Sequence, residues 1–438
     1  MLKLLKNVVE EAAAIQLCTH LEADDAGVER PDGTRLPSVV APATYPGRSN
    51  GDSPGPNISA VVDGEFAELW TTLDSVASQA NRCEDALDEF MHARLDVPFP
   101  LIDIRISAEV LLHGLQAPHR SADAYFRVTD HAPYFDEIAR MGKGQLRYED
   151  DLTLSVKRFP TALVFGSWAS FTNALARVPR VYRSNIDGIT RIPRSIYEAR
   201  HEESIIVRAK AMRRDPYLGG SADLYPAPNA LDSKGWTLDK AEANQTELQK
   251  ALKKAETEKK RAGAKSEKNP LSLASHGLGD IPPKKDGTIR GVRVDYCLQN
   301  SVISLAGLRG FHFPVQGEVT PQRDLAARSY LVALALLAHE LSAKRGYFLR
   351  SGCSLVPTKA TRQVIGSAGR ASLPWDSDKP RVDVALELYR LAVADLVKHG
   401  ISLEPRKEAK AEPKLIALLE SNAKSQASAE EDEAAALV

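Results

Sequence analysis

From Gln322 to Lys344 the chain reads QRDLAARSYLVALALLAHELSAK, a run apolar nearly all the way round a helix. A helix without a polar face has to be enclosed by other elements. Enclosing it takes a sizeable core, and 43% apolar residues in a 438-residue chain supply one, which also excludes global disorder. The longest uninterrupted apolar stretch, Leu331 to Ala338, is too short to cross a bilayer, so no membrane is expected among the partners. A second helix is predicted over Val382 to His399. It carries Leu386, Leu388, Leu391, Val393, Leu396 and Val397 and is capped by Gly400.

The other elements follow from period and punctuation. MLKLLKNVVEEAAAIQL predicts an amphipathic helix with Leu5, Val8, Val9, Ala12 and Ile15 on one side, and it lacks the features of a signal peptide. Turn chemistry fills about Glu22 to Asn57. Leu73 to Met91 places Val76, Ala80, Cys83, Leu87 and Phe90 at helical spacing. Strands are predicted at LIDIRI (101–106), at TALVFGS (161–167) and at GVRVDYCLQ (291–299). In the last, Val292, Val294, Tyr296 and Leu298 face one way and Arg293, Asp295 and Gln299 the other. Strands and helices mixed without regular alternation give an α+β fold class. We read residues 1–403 as a single elaborated domain interrupted by a charged, solvated insertion at about 238–268, and 404–438 as a polar, flexible tail.

Charge is balanced overall, with 57 Lys plus Arg against 58 Asp plus Glu, so only local patches can point to a partner. Between Lys157 and Arg200 there are eight basic residues against two acids, with Trp168, Phe171, Tyr182 and Tyr197 interleaved. Arg177, Arg180 and Arg183 recur every third residue, and Arg191 and Arg194 follow. Guanidinium forks and aromatic faces are what hold phosphates and stack bases. A second cluster contains Lys284, Lys285, Arg290 and Arg293, then Arg309, Arg323 and Arg328. Arginines that pair with acids elsewhere in the fold would give the same composition.

Catalytic and metal patterns are weak. The four cysteines lie far apart, which argues against a zinc ribbon or a disulfide framework and suits a reducing cytoplasm. No metal and no cofactor are expected. His119, Arg120 and Asp123 form a small cluster in APHRSADAYF, but no second histidine stands near it at metal spacing, and no nucleophile-elbow or Walker pattern occurs. The chain is not expected to be an enzyme.

Several segments in order, LDSVASQANRCEDAL (73–87), LIDIRI, LQAPHRSADAYFR (115–127), PTALVFGSWAS (160–170) and YFLRSGCSLVP (347–357), with RLPSVVAPATY (35–45) before them, carry a resemblance. Together they resemble the CRISPR-associated RAMP backbone protein of type I-U (now I-G) systems, the Cas-seven-type subunit. The resemblance implies an RRM-like (ferredoxin-like) core with inserted palm, finger and thumb lobes. It also implies a non-catalytic subunit that polymerises along CRISPR RNA in a Cascade-like complex and presents it to target DNA. Implied partners are other copies of the chain, a fused end-capping and processing subunit, a large subunit and a helicase-nuclease. Carried onto this sequence, it marks Gln79, Asn81, Arg82, His119, Arg120 and Trp168 as candidate RNA-binding residues, beside the arginines and lysines named above. An RNA endonuclease of the same superfamily, or an oligomeric structural protein without RNA, are the competing readings. Arg350 is the one polar group of interest in YFLRSGC.

Overall fold

The computed structural model describes residues 1–26, 31, 33, 37–45, 55–133, 151–168, 177–200, 206–208, 224–226, 236–250, 252–253, 289–375, 379–419 and 421, and in them helix and sheet are mixed, an α+β protein. The chain divides into two units, one of Met1–Val207 with Ile289–Ile416, the other of Arg208–Thr288 with Ala417–Val438.

The first unit is built on a sheet of eight strands: β1 (Ala14–Ala23), β2 (Ile58–Asp63), β3 (Phe66–Asp74), β4 (Tyr182–Pro193), β5 (Tyr296–Ser304), β6 (Tyr347–Arg350), β7 (Cys353–Gly366) and β8 (Gly369–Ser372). They lie in the order β6-β7-β1-β5-β4-β3-β2, with β8 also on β7, and these pairings are antiparallel. The main helices are α1 (Leu2–Glu11), α2 (Val76–Ala93), α3 (Pro321–Arg345) and α4 (Arg381–Lys398). Along the chain β1, α2, β4, β5, α3 and β7 run strand–helix–strand–strand–helix–strand, and their four strands stand in the order β7-β1-β5-β4.

Alternation in the sequence decides which side of the sheet is sealed. In β1, Ile15, Leu17, Thr19, Leu21 and Ala23 are buried while Gln16, Cys18, His20 and Glu22 are half-buried. The buried side meets the helices. α3 starts at Thr320, whose side chain accepts from the Arg323 amide, with Pro321 at the first helical position, and it stops at Gly346 with φ +90°. Every residue from Ser329 to Leu341 is buried, as a helix apolar all round requires, and its most apolar window is 83% buried inside the protein. It packs against α1, α2 and α4, and each enclosed Leu contributes about 1.5–3 kcal/mol.

One group of polar side chains on the sealed side is hydrogen-bonded together. The Gln79 side-chain carbonyl accepts from Ser184 (3.2 Å) and from the Gln299 amide (2.9 Å), and its own amide donates to Asp74 (2.5 Å). Tyr347 donates to Gln299 at 3.0 Å and Arg362 to Glu340 at 2.9 Å. Such networks stabilise only when complete.

Four expectations are corrected. The N-terminal helix ends at Glu11, and Ile15 belongs to β1, because from there the apolar residues fit a period of two better than one of 3.6. TALVFGS is not a strand: Pro160–Phe165 is a helix with Pro160 at its first position, and Gly166 (φ +84°) turns the chain into the short strand Ser167–Trp168. All six helical residues are buried, and a run apolar on every side carries no period that separates helix from strand. GVRVDYCLQ is two strands. Ile289–Val294 pairs with Ser38–Val40 in another sheet, and after Asp295 the phase reverses, so that Cys297 and Gln299 are buried and Tyr296 is exposed. Finally, Lys407–Lys410 lies within the fold, pairing in parallel with Ile102–Arg105 and burying Ala409. The acidic end of the chain is outside the described residues.

In the second unit, Tyr225–Pro226 pairs with Trp236–Thr237, residues 245–250 are helical, and Ala243 and Leu248 are buried. The start of the charged insertion thus buries two apolar side chains.

His339 gives the core a pH signature. It is 1% exposed, its Nδ1 lies 3.0 Å from the Tyr182 hydroxyl, and burial pushes its pKa down to about 4. An unfolded histidine titrates near 6.5, so between these values the unfolded chain binds more protons, and stability is lost as the pH is lowered through them, by about 3 kcal/mol in all. Urea unfolding at pH 7 and pH 4.5 should show this acid loss, and His339→Gln should lessen it.

Candidate nucleic-acid interface

Because the helices seal one side, the other side of β7-β1-β5-β4 carries the polar members of each alternation. Register sets them in rows across the strands: Gln363, Gln16, Val302 and Arg183; then Thr361, Cys18, Asn300 and Asn185; then Lys359, His20, Leu298 and Asp187. Arg183 and Lys359 are exposed and the rest are half-buried. Gln16 donates to Asn300 at 3.2 Å, and Asn185 donates to Asp187. Burial pushes the Asp187 carboxyl up, against hydrogen bonds from Thr72 and Asn185 that hold it down. The rings of His20 and Tyr296 stack 6.1 Å apart. Amides, a free guanidinium and an ammonium on a sheet face can take phosphates and sugar hydroxyls without reading sequence.

The expected RNA-binding residues separate into groups. Gln79 is 2% exposed and belongs to the interior network, so it is unavailable to a phosphate. Arg120 is likewise turned inward: 7% exposed, it forks both oxygens of Glu84 at 2.7 Å and donates to the Gly166 carbonyl at 3.1 Å. It sits at φ +54° to make that contact. Arg82 is half-buried and committed to Asp74 (2.9 Å) and to the Phe348 and Leu349 carbonyls, which ties α2 to β6. Arg350, at the end of β6, donates to the Ala41 and Leu73 carbonyls and so ties β6 to β3.

Asn81, His119, Trp168, Arg180, Arg183, Arg191, Arg194 and Arg293 are exposed. Arg191 lies over the Phe66 ring at 4.1 Å, Arg194 pairs with Glu198 at 2.7 Å, and Arg180 donates to the Phe165 carbonyl at 3.2 Å. Arg177 pairs with Trp168 across a two-stranded ribbon. Lys284 and Lys285 lie outside the described residues. Of the second basic cluster, Arg309, Arg323 and Arg328 are spent on backbone carbonyls of Ala12, His399 and Phe311. The Asp123 carboxylate accepts from the backbone amides of His119 and Tyr125, so it builds the turn that presents the His119 ring.

One constellation escaped sequence reading. Asp88 and His92, four apart near the end of α2, meet His113 and Asp103 from the adjoining strands Leu111–His113 and Ile102–Arg105. The helical pair was the available signal. His113 stands too far along the chain to be joined to it without the fold.

Residues 36–191 match the family described as CRISPR-associated protein GSU0053. The match supports a CRISPR-associated protein. It covers less than half of the chain, taking in α2, the strands at 102–113, the A-P-H-R turn and β4 as far as Arg191. No curated protein matches the chain.

The two arginine groups should behave differently. Arg120→Ala leaves the Glu84 carboxylate buried and unpaired, so it should cost about 3–5 kcal/mol in urea unfolding. Arg183→Ala on the open face should stay within about 0.5 kcal/mol of the parent.

Proposed function

We propose that this protein is the RNA-binding backbone subunit of a type I, Cascade-like CRISPR interference complex, of the RAMP type with an RRM-like core. Several copies would line one CRISPR RNA in the cytoplasm and present it to target DNA, beside an end-capping and processing subunit, a large subunit and a helicase-nuclease. The role is non-catalytic. The observation that carries the reading is the open sheet face of β7-β1-β5-β4, polar in register apart from Val302 and Leu298 on β5, with Arg183 and Lys359 at its two edges. The strand–helix–strand–strand–helix–strand order with strands β7-β1-β5-β4 supports the RRM-like core, and the match over 36–191 supports the CRISPR setting.

A backbone subunit has to hold every spacer alike, so it needs phosphate and sugar contacts and leaves sequence to base pairing. Exposed Arg183, Arg293, Asn81 and His119 are suited to that work, and Trp168 offers a stacking face.

The test is to co-express the chain with its CRISPR array, extract nucleic acid from the purified particle, and titrate unrelated single-stranded RNAs against salt. We expect RNA of roughly array-unit length and a log–log salt slope of about −0.7 per phosphate neutralised. Arg183→Glu with Lys359→Glu should weaken unrelated RNAs equally and flatten the slope. Nucleic-acid-free protein with no binding at low salt would overturn the reading in favour of a structural oligomer. RNA cleavage abolished by His119→Ala would overturn it in favour of the endonuclease.

A further inference from the structure

Where α2 ends against the strands 102–105 and 111–113, two imidazoles and two carboxylates converge. His113 Nδ1 lies 2.6 Å from Asp88 Oδ2, and His92 Nδ1 lies 3.3 Å from Asp88 Oδ1. The rings of His92 and His113 stack 4.0 Å apart at 15°, and the ligand atoms of Asp88, His92 and His113 all fall within 4.8 Å of one another. Asp88 is 4% exposed, and its Oδ1 has no hydrogen-bond partner. A carboxylate oxygen sealed from water in that way is costly to leave without a cation or a donor.

The surroundings hold these groups in place. The other nitrogen of His92, Nε2, lies 2.9 Å from Asp103 Oδ2, and Asp103 Oδ1 accepts from the Gly114 amide at 3.2 Å. A carboxylate on the far nitrogen, itself anchored by an amide, is how metal-bound histidines are oriented and made more basic. Gly114 permits the close approach that brings His113 in, since a Cβ there would come within 1.9 Å of the Ile102 carbonyl oxygen. The cluster is also open on one side. The His92 and His113 side chains are 27% and 32% exposed, which leaves room for water on an ion held between them.

We infer that Asp88, His92 and His113 form a binding site for a divalent transition-metal ion, with Asp103 orienting His92. Two imidazole nitrogens with one carboxylate suit zinc and its neighbours, whereas calcium and magnesium take oxygen donors. The ion would displace the hydrogen bonds that His113 Nδ1 makes to Asp88 Oδ2 and His92 Nδ1 to the Asp88 main-chain carbonyl (2.8 Å), with the stacked rings rotating so that both lone pairs meet it and each ring keeping one proton on Nε2, that of His92 facing Asp103. Its position gives it a structural use, fastening the C-terminal end of α2 to the strand pair. The inference is independent of any nucleic-acid role.

The test uses the full chain without a histidine tag, stripped with chelator and titrated with Zn²⁺ by calorimetry. We expect one ion per chain and a rise in melting temperature. Co²⁺ in place of zinc should give visible absorption. His113→Gln and Asp88→Asn should each weaken binding at least about tenfold. The wild-type stoichiometry and the half-exposed His113→Gln variant keep the test decisive where Asp88→Asn fails to fold. Absence of zinc uptake, or unchanged affinity in His113→Gln, would overturn the site and leave a hydrogen-bonded cluster.

Discussion

The enclosure of α3 is the constraint on which the first unit depends. From Ser329 to Leu341 no residue of the helix is solvent-facing, so α1, α2, α4 and the sheet must all be in place before its apolar surface is removed from water. That demand assigns the two sides of the sheet. One side has to cover α3 and α2, which takes Ile15, Leu17, Tyr182, Ile186 and Ile303 inward. The polar partners of those same alternations are then left on the opposite side by the two-residue period alone. The candidate interface is therefore a by-product of core burial, and its rows are as fixed as the core.

The arginines divide according to the same logic. A guanidinium presents five donors in a plane, which suits it to bridging carbonyls that secondary structure leaves unpaired. Arg82 and Arg350 do this between α2, β3 and β6, and Arg309 and Arg328 do it around the ends of α1 and α3. Arg120 and Arg362 go further and sit buried on Glu84 and Glu340. What is left for a polyanion is a smaller set, of which Arg183 and Arg293 are exposed. Counting positive charge along the chain cannot separate the two sets, because both have the same composition.

Legibility followed the strength of the local period. α3 and α4 were readable almost to their ends, since long helices with Pro at the start or Gly at the stop carry both period and punctuation. Ile102–Arg105 was readable because its alternation is clean. The α+β class was readable too. Pro160–Phe165 was not, because all six residues are buried and leave no polar face to set a period. The break at Asp295 was hidden because the apolar residues continue through it while the pairing partner changes from Ser38–Val40 to β1 and β4. At the candidate interface Gln16 and His20 on β1, Lys359 on β7 and Arg183 on β4 are ordinary polar residues of separate strands. Only pairing register makes them neighbours.

The segments that make the chain resemble a family are themselves mostly structural. In S-Q-A-N-R, Gln79 and Ala80 are buried and Arg82 is bonded to Asp74 and β6, which leaves Asn81 exposed. In A-P-H-R the arginine closes on Glu84 and the histidine is exposed. Each motif thus contributes a fastening and one free polar group. A buried fork or a buried amide network tolerates few side chains, because any shorter or differently shaped group leaves a charge or a donor unpaired. Residues that touch a phosphate backbone face a looser requirement, since any donor of about the right reach will serve. A recognisable stretch of sequence is then the stretch where the fold is most demanding, and the surface that meets a ligand without sequence preference is where the sequence has most freedom. The match over 36–191 covers the fastenings at α2 and β4, while most of the open face, on β1, β5 and β7, lies beyond it.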